Sequence, residues 1–159
     1  MKKLIILILC MTCSSLIAKN ILEEATVRKI VEEISNAAKD KDITPMQKYM
    51  YEGTVITIDM DLHPDRGEID MAYDDNFVQL AEMAMKMSTS WDYQNEVVSI
   101  DVDPSKNLAT VKEKSSLTYT IMGETIHEIS TTITIYGVVD GEIKILTTKE
   151  KLINSEMLK

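Results

Sequence analysis

From residue 92 to residue 150 the chain consists of β-branched, alternating runs separated by tight turns, whereas nearly everything before Trp91 has helical spacing. Val, Ile and Thr at every second position suit a pleated, half-buried surface. Four such runs follow one another. Their turns are Asp103-Pro104-Ser105-Lys106-Asn107, a segment containing Gly123, and Asp140-Gly141, the strongest hairpin signal of the three. Consecutive hairpins make an antiparallel meander, and helices that precede it in the chain must cover one of its faces. The class this predicts is α+β: three N-terminal helices packed in a curved, mostly antiparallel sheet forming a cone.

The turns also set which side chains share a face. A three-residue loop of Ile121, Met122 and Gly123 pairs Thr120 with Glu124, Leu117 with His127, Ser115 with Ile129, Glu113 with Thr131 and Val111 with Ile133. A two-residue loop at Met122-Gly123 sets Lys112 opposite Ile133 and Leu117 opposite Glu128, a poorer match of polarity. A one-residue slip exchanges the faces, so the first register is expected. Asp140-Gly141 then pairs Val139 with Glu142 and Ile135 with Leu146. The expected concave face holds Ala109, Val111, Glu113, Ser115, Leu117, Tyr119, His127, Ile129, Thr131, Ile133, Ile135, Leu146 and Thr148. Lys112, Lys114, Ser116, Thr118, Ser130, Thr132, Thr134 and Tyr136 fall on the outer face. A β-bulge would invert part of this assignment.

In the first half, Val27, Ile30, Val31, Ile34, Ala37 and Ala38 form one stripe of a helix. Thr44-Pro45-Met46-Gln47 reads as a capped start to a short second helix. Residues 54–60 alternate as a lone strand. A third helix is expected from about Ile69 or Asp70 to Met87, with Tyr73, Phe77, Leu80, Ala84 and Met87 on its stripe.

The first residues carry a different signal. Lys2 and Lys3 precede an apolar run over residues 4–11, followed by small and polar residues up to Ala18. That is the layout of a secretory signal peptide, in a run too short to span a bilayer. Residues 1–18 are therefore expected to be removed, leaving residues 19–159 as one domain, periplasmic or secreted. Cys10 and Cys13 leave with the signal, and neither has the small residue that acylation requires before it. Loss of Lys2 and Lys3 takes the formal net charge from −9 to −11. So acidic a surface repels nucleic acid and anionic headgroups. Neither nucleic-acid binding nor stable membrane insertion is expected.

Helix, short helix, strand, helix and four antiparallel strands is an order that resembles the nuclear transport factor 2-like superfamily, which includes ketosteroid isomerases and polyketide cyclases. Val97-Val98-Ser99-Ile100-Asp101-Val102-Asp103 leading to Asn107-Leu108-Ala109-Thr110-Val111 is similar to its third-strand hairpin. Tyr136-Gly137-Val138-Val139-Asp140-Gly141-Glu142-Ile143-Lys144-Ile145 is similar to its closing hairpin. The resemblance spans residues 19–159 and implies a cystatin-like roll with a cone-shaped pocket. It does not imply one chemistry, because the superfamily contains isomerases, cyclases, dehydratases and non-enzymes. No stretch matches an isomerase or cyclase catalytic motif.

The residues themselves offer few reactive groups. Glu113 is a carboxylate on the expected concave face, suited to a general base or a protonated donor, or to a plain ion pair with Lys112 or Lys114. His127 and Tyr119 share that face and would complete an acid–base set, although the register holds His127 far from Glu113. Asp59 is the alternative base if its strand turns the other way. Tyr49, Tyr73, Phe77, Met83, Met87, Trp91, Leu117, Tyr119 and Ile129 are the expected pocket lining, since Met and Tyr adapt to apolar ligands. Asp59, Asp61, Asp65, Glu68, Asp70, Asp74 and Asp75 crowd around His63, but Pro64 stands where a calcium loop needs glycine. A solvated loop is the simpler reading, and no metal or cofactor is expected. The function this predicts is an exported module that binds a small apolar ligand or a protein partner, with a homodimer formed through the outer sheet face. A small isomerase- or cyclase-type enzyme, and an accessory subunit of an envelope complex, are the alternatives.

Overall fold

The computed structural model describes residues 22–60 and 67–158. The proposed signal peptide, and Asp61, His63, Pro64 and Asp65 of the acidic segment, lie outside the described residues. Three helices and six strands follow in the order α1 (Glu24–Lys39), α2 (Thr44–Tyr49), β1 (Met50–Asp59), β2 (Glu68–Ala72), α3 (Asp75–Met87), β3 (Ser88–Asp103), β4 (Leu108–Ile121), β5 (Glu124–Val139) and β6 (Glu142–Leu158). They form one sheet in the order β2-β1-β6-β5-β4-β3, antiparallel except for β1 beside β6. This is an α+β fold compatible with a cone.

The α1 stripe does what its spacing predicts. Val27, Ile30 and Val31 are buried against Ile56, Ala109, Val111, Tyr136 and Ile145, and Met50 and Leu22 complete that core. Glu24 holds Arg28 at 2.8 Å on the solvent side. The first residue of α2 is Thr44 rather than a cap before it. The Asp42 carboxylate receives the Thr44 amide at 2.9 Å, while Pro45 needs no donor there.

Two elements differ from the sequence expectation. Glu68–Ala72 is a strand, not the start of the third helix, and it pairs antiparallel with β1 from Val55 opposite Ala72 to Asp59 opposite Glu68. The helix starts only at Asp75, where the Asp74 side chain accepts from the Phe77 amide at 2.9 Å. β6 also continues beyond Glu150 to Leu158, still paired with β5.

The register of β4 with β5 is the two-residue one. Ile121 pairs with Glu124, Lys112 with Ile133 and Leu117 with Glu128. Met122 and Gly123 both take positive φ, 53° and 85°, as a type I′ turn demands. The turn whose twist matches the strands prevails over the polarity match between them. On β5 the faces are therefore exchanged: Tyr136, Thr134 and Ser130 are buried inside, and Ile133 is 42% exposed outside. At the last hairpin Val139 pairs with Glu142 as expected, but a bulge at Leu146 sets Ile135 opposite Thr147. Leu146 lies over Gly137, where a side chain would leave it no room.

Candidate functional site

Four rows of side chains cross the inner face of the sheet, with the C-terminal half of α1 meeting them at Asn95 and Trp91. Across β3, β4, β5 and β6 they are Val97-Glu113-Thr132-Glu150, Asn95-Ser115-Ser130-Leu152, Tyr93-Leu117-Glu128-Ser155 and Trp91-Tyr119-Ile126-Met157. Each row follows from strand pairing, because directly opposed residues share a face. The first two rows flank the apolar core, so polar groups there need partners within the protein.

Glu113 is held there by Asn95. The Asn95 amide nitrogen donates to Glu113 Oε1 at 2.5 Å and to Ser35 Oγ on α1 at 2.7 Å. Burial pushes the Glu113 carboxyl above the ordinary range, and the hydrogen bond from Asn95 offsets part of that shift. Among the described residues the buried Asn95 Oδ1 finds no donor. Tyr93 and Tyr136 flank the group, their hydroxyls made less acidic by burial and then by the Glu113 charge. Further along, Ser115 and Ser130 share a hydrogen bond of 2.8 Å. Glu128 lies 3.5 Å from both Tyr119 and Ser155, its carboxyl raised by burial and by the charge of Glu150.

The wall toward the rim is aromatic. Trp91 donates from its indole to Ala38 O at 2.8 Å, and its ring meets that of Tyr119 at 6.3 Å. Lys41 sits over Trp91 and donates to Ser88 O at 2.8 Å.

Several candidates lie elsewhere. His127 pairs with Thr118 and their side chains meet at 2.9 Å on the outer face, so it is separated from Glu113 by the sheet. Ile129, opposite Ser116, is on the outer face too. Both misplacements follow from the one-residue change at the Met122-Gly123 turn. Asp59 is only 6% exposed, yet it points outward beside Lys151, at 3.4 Å. Neither Lys112 nor Lys114 partners Glu113, because both face the other way. On α3, Met83 and Met87 are 55% and 43% exposed and so line no interior, whereas Phe77 packs on Tyr73 at 5.7 Å. Tyr49 belongs to a separate cleft of about 540 Å³ between α1 and the last hairpin, and donates to Glu33 there at 2.7 Å. Leu117, Tyr119 and Trp91 stand on the inner face.

Sequence reasoning missed Asn95 and Ser35. Period-two counting from Trp91 through Tyr93 reaches Asn95, but nothing in α1 distinguishes Ser35 from a solvated serine. Glu128, Glu150 and Tyr136 required the correct register. Among the described residues no three acidic, histidine or cysteine side chains group as a metal site, and no helix is long and apolar enough to cross a membrane.

No family model and no curated protein matches the chain. Solved structures do. A hexachlorocyclohexane dehydrochlorinase from Novosphingobium barchaimii superimposes with TM-score 0.65 at 8% identity, over 84% of this chain and 88% of that one. A scytalone dehydratase-like protein from Novosphingobium aromaticivorans gives 0.68 at 11%, over 89% and 91%. A nuclear transport factor 2-like protein of unknown function from Pseudomonas putida gives 0.61 at 15%, over 80% and 84%. Identities this low speak for shape and not for chemistry. The chain has the fold of the nuclear transport factor 2-like superfamily.

Proposed function

We propose that the protein is an exported small-molecule-binding domain whose ligand lies on the inner sheet face against Glu113 and Asn95. The observation that carries this reading is the Asn95–Glu113 hydrogen bond, made beside an amide oxygen with no donor of its own. Convergent polar groups between apolar and aromatic walls are the usual composition of a ligand site. Leu117, Tyr119 and Trp91 supply the walls. Binding is favoured over catalysis because His127, the histidine among the described residues, lies across the sheet from Glu113. Native mass spectrometry of the protein purified from the envelope tests the reading. A small-molecule adduct is expected, and it should be reduced in Trp91→Ala. The absence of any adduct, with no thermal shift across a ligand panel, overturns it.

A second reading has one observation in its favour. Burial raises the proton affinity of Glu113, as a general base working near neutral pH needs. Two of the proteins of similar shape carry the names of a dehydrochlorinase and a scytalone dehydratase. Base-assisted elimination or isomerisation would then show as deuterium uptake from heavy water into a bound carbon acid, abolished in Glu113→Gln.

Export and self-association complete the proposal. Cleavage after Ala18 predicts a mature chain beginning at Lys19 in N-terminal sequencing. The outer sheet face carries exposed Val98, Ile133 and Ile153 among threonines, and a face of that kind is commonly covered. A dimer in sedimentation analysis that becomes a monomer in Ile133→Lys is the expected result.

A further inference from the structure

The charge of the chain is unevenly spread. Against a formal net charge of −9, one cleft gathers three lysines. It measures about 540 Å³ and lies between α1, the end of α2 and the start of β6. Thr26, Lys29, Ile30 and Glu33 stand three and four residues apart on α1 and so turn one stripe of the helix toward it. Lys48 and Tyr49 close α2, and Glu142, Ile143 and Lys144 open β6 as the other wall. Ile30 is buried, and Ile143 and Tyr49 pack against the same core, so the floor is apolar. None of the residues lining this cleft stands in the four rows of the inner sheet face.

A network holds the walls. Lys48 donates to Glu33 at 3.1 Å and to the Tyr49 hydroxyl at 2.8 Å, and that hydroxyl donates to the second Glu33 oxygen at 2.7 Å. Lys144 pairs with Glu142 at 2.9 Å and donates to Lys48 O at 3.0 Å, which ties the last hairpin to α2. Hydrogen bonds from Tyr49 and then Lys48 hold the Glu33 carboxyl below the ordinary range, and Lys144 does the same for Glu142. Both carboxylates are ionised, and each has its cation. Lys29 is left over: among the described residues it has neither a hydrogen bond nor an ion pair. Three ammonium groups against two carboxylates leave one positive charge beside an apolar floor.

We propose that this cleft binds a medium-chain aliphatic monocarboxylate, its chain along Ile30 and Ile143 and its head at Lys29. One unmatched cation suits one negative charge, and Glu33 and Glu142 repel a doubly charged head such as a phosphate monoester. The lysine stems continue the apolar surface up to the rim. The Lys48 ammonium already covers the Tyr49 ring at 4.5 Å, so a flexible chain fits there better than a second stacked ring. The volume is in the usual range for small-molecule sites, and walls fixed beforehand lower the cost of ordering them on binding. This site is independent of the ligand-binding reading of the inner face and goes beyond it.

Titration of the purified protein with octanoate, hexanoate and 1-octanol at low ionic strength, followed by backbone amide shifts in heteronuclear NMR, tests it. Octanoate should shift the amides of Lys29, Ile143 and Lys144. It should bind about fivefold more tightly than 1-octanol, which has the same chain and a neutral head. Hexanoate should bind about fivefold more weakly than octanoate, since two methylenes are withdrawn from a partly open floor. Lys29→Gln should weaken octanoate about threefold and leave 1-octanol unchanged, whereas Lys112→Gln, on the outer sheet face, should change neither. Thermal melts establish that each variant is folded. Equal binding of octanoate and 1-octanol overturns the inference, as do equal effects of Lys29→Gln and Lys112→Gln. Octanoate shifts confined to the amides of Asn95, Glu113 and Leu117 overturn it too, and put the acid on the inner face instead. If octanoate moves no amide, the cleft inference falls, while the adduct test of the inner face is untouched.

Discussion

Glu113 is the residue on which site and stability meet. Its folded-state proton affinity is raised, with burial as the main cause. The protonated form is the one the fold tolerates best. The stability tied to that proton is therefore complete below the ordinary value of 4.5 and is lost as pH rises from there through the raised folded value. Glu113→Gln removes the titration while keeping the shape and the acceptor for Asn95. The variant should match the parent in acid and exceed it by about 1 kcal/mol at pH 8, the net scale of one imperfectly compensated buried polar group. Urea unfolding at pH 4 and pH 8 checks both ends, and a variant less stable at pH 8 would contradict the burial argument. That Glu113 lies on an inner face was legible in the sequence, because β4 alternates cleanly. Its true partner was not, since Asn95 reaches it from 18 residues before it and is itself held by Ser35, a further 60 residues back.

At the scale of elements, one turn decided which half of the meander was read correctly. Polarity favoured a three-residue loop, whereas the backbone takes the two-residue type I′ turn and accepts Met122 at φ 53°. A methionine in the left-handed region costs about 1 kcal/mol, and asparagine tolerates it better. Met122→Asn should stabilise the protein by about 0.5 kcal/mol without altering the register, measurable by chemical denaturation. If the substitution destabilised the chain, the turn assignment would be in error. The exchange on β5 follows from this turn alone, and it carried His127 and Ile129 outward while bringing Glu128 and Tyr136 inward. The Asp140-Gly141 turn, with both residues at positive φ, needed no such choice and was read correctly. The third helix was legible in type but not in seating. Its Leu80 is 64% exposed, although it lies on the stripe expected to be buried. Spacing shows that a helix has an apolar side and says nothing of where its neighbours stop.

For the whole molecule, the governing fact is that β1 lies beside β6. Thr54 donates to Ile145 O across 91 residues, and Thr147 donates to Val55 O across 92. Contacts so distant in sequence must close long loops before they return any stabilisation, which places folding in the slow range for a domain of this size. Refolding by stopped flow should take milliseconds to seconds. Removing residues 152–158 should slow it little but raise the unfolding rate, because it strips Leu152 from the core side without touching the β1–β6 pairs that end at Lys151. A slowed refolding limb would instead place this last stretch in the nucleus.

The order in which the ribosome delivers the strands adds a consequence. While β1 and β2 are already made, the strand that must lie beside β1 has yet to be translated, and the sheet has no centre until it arrives. The edge of β1 is held open while β3, β4 and β5 are made and pair as hairpins. That interval leaves it available to any machinery that handles extended polypeptide, and it closes once residues 145–151 pair with β1.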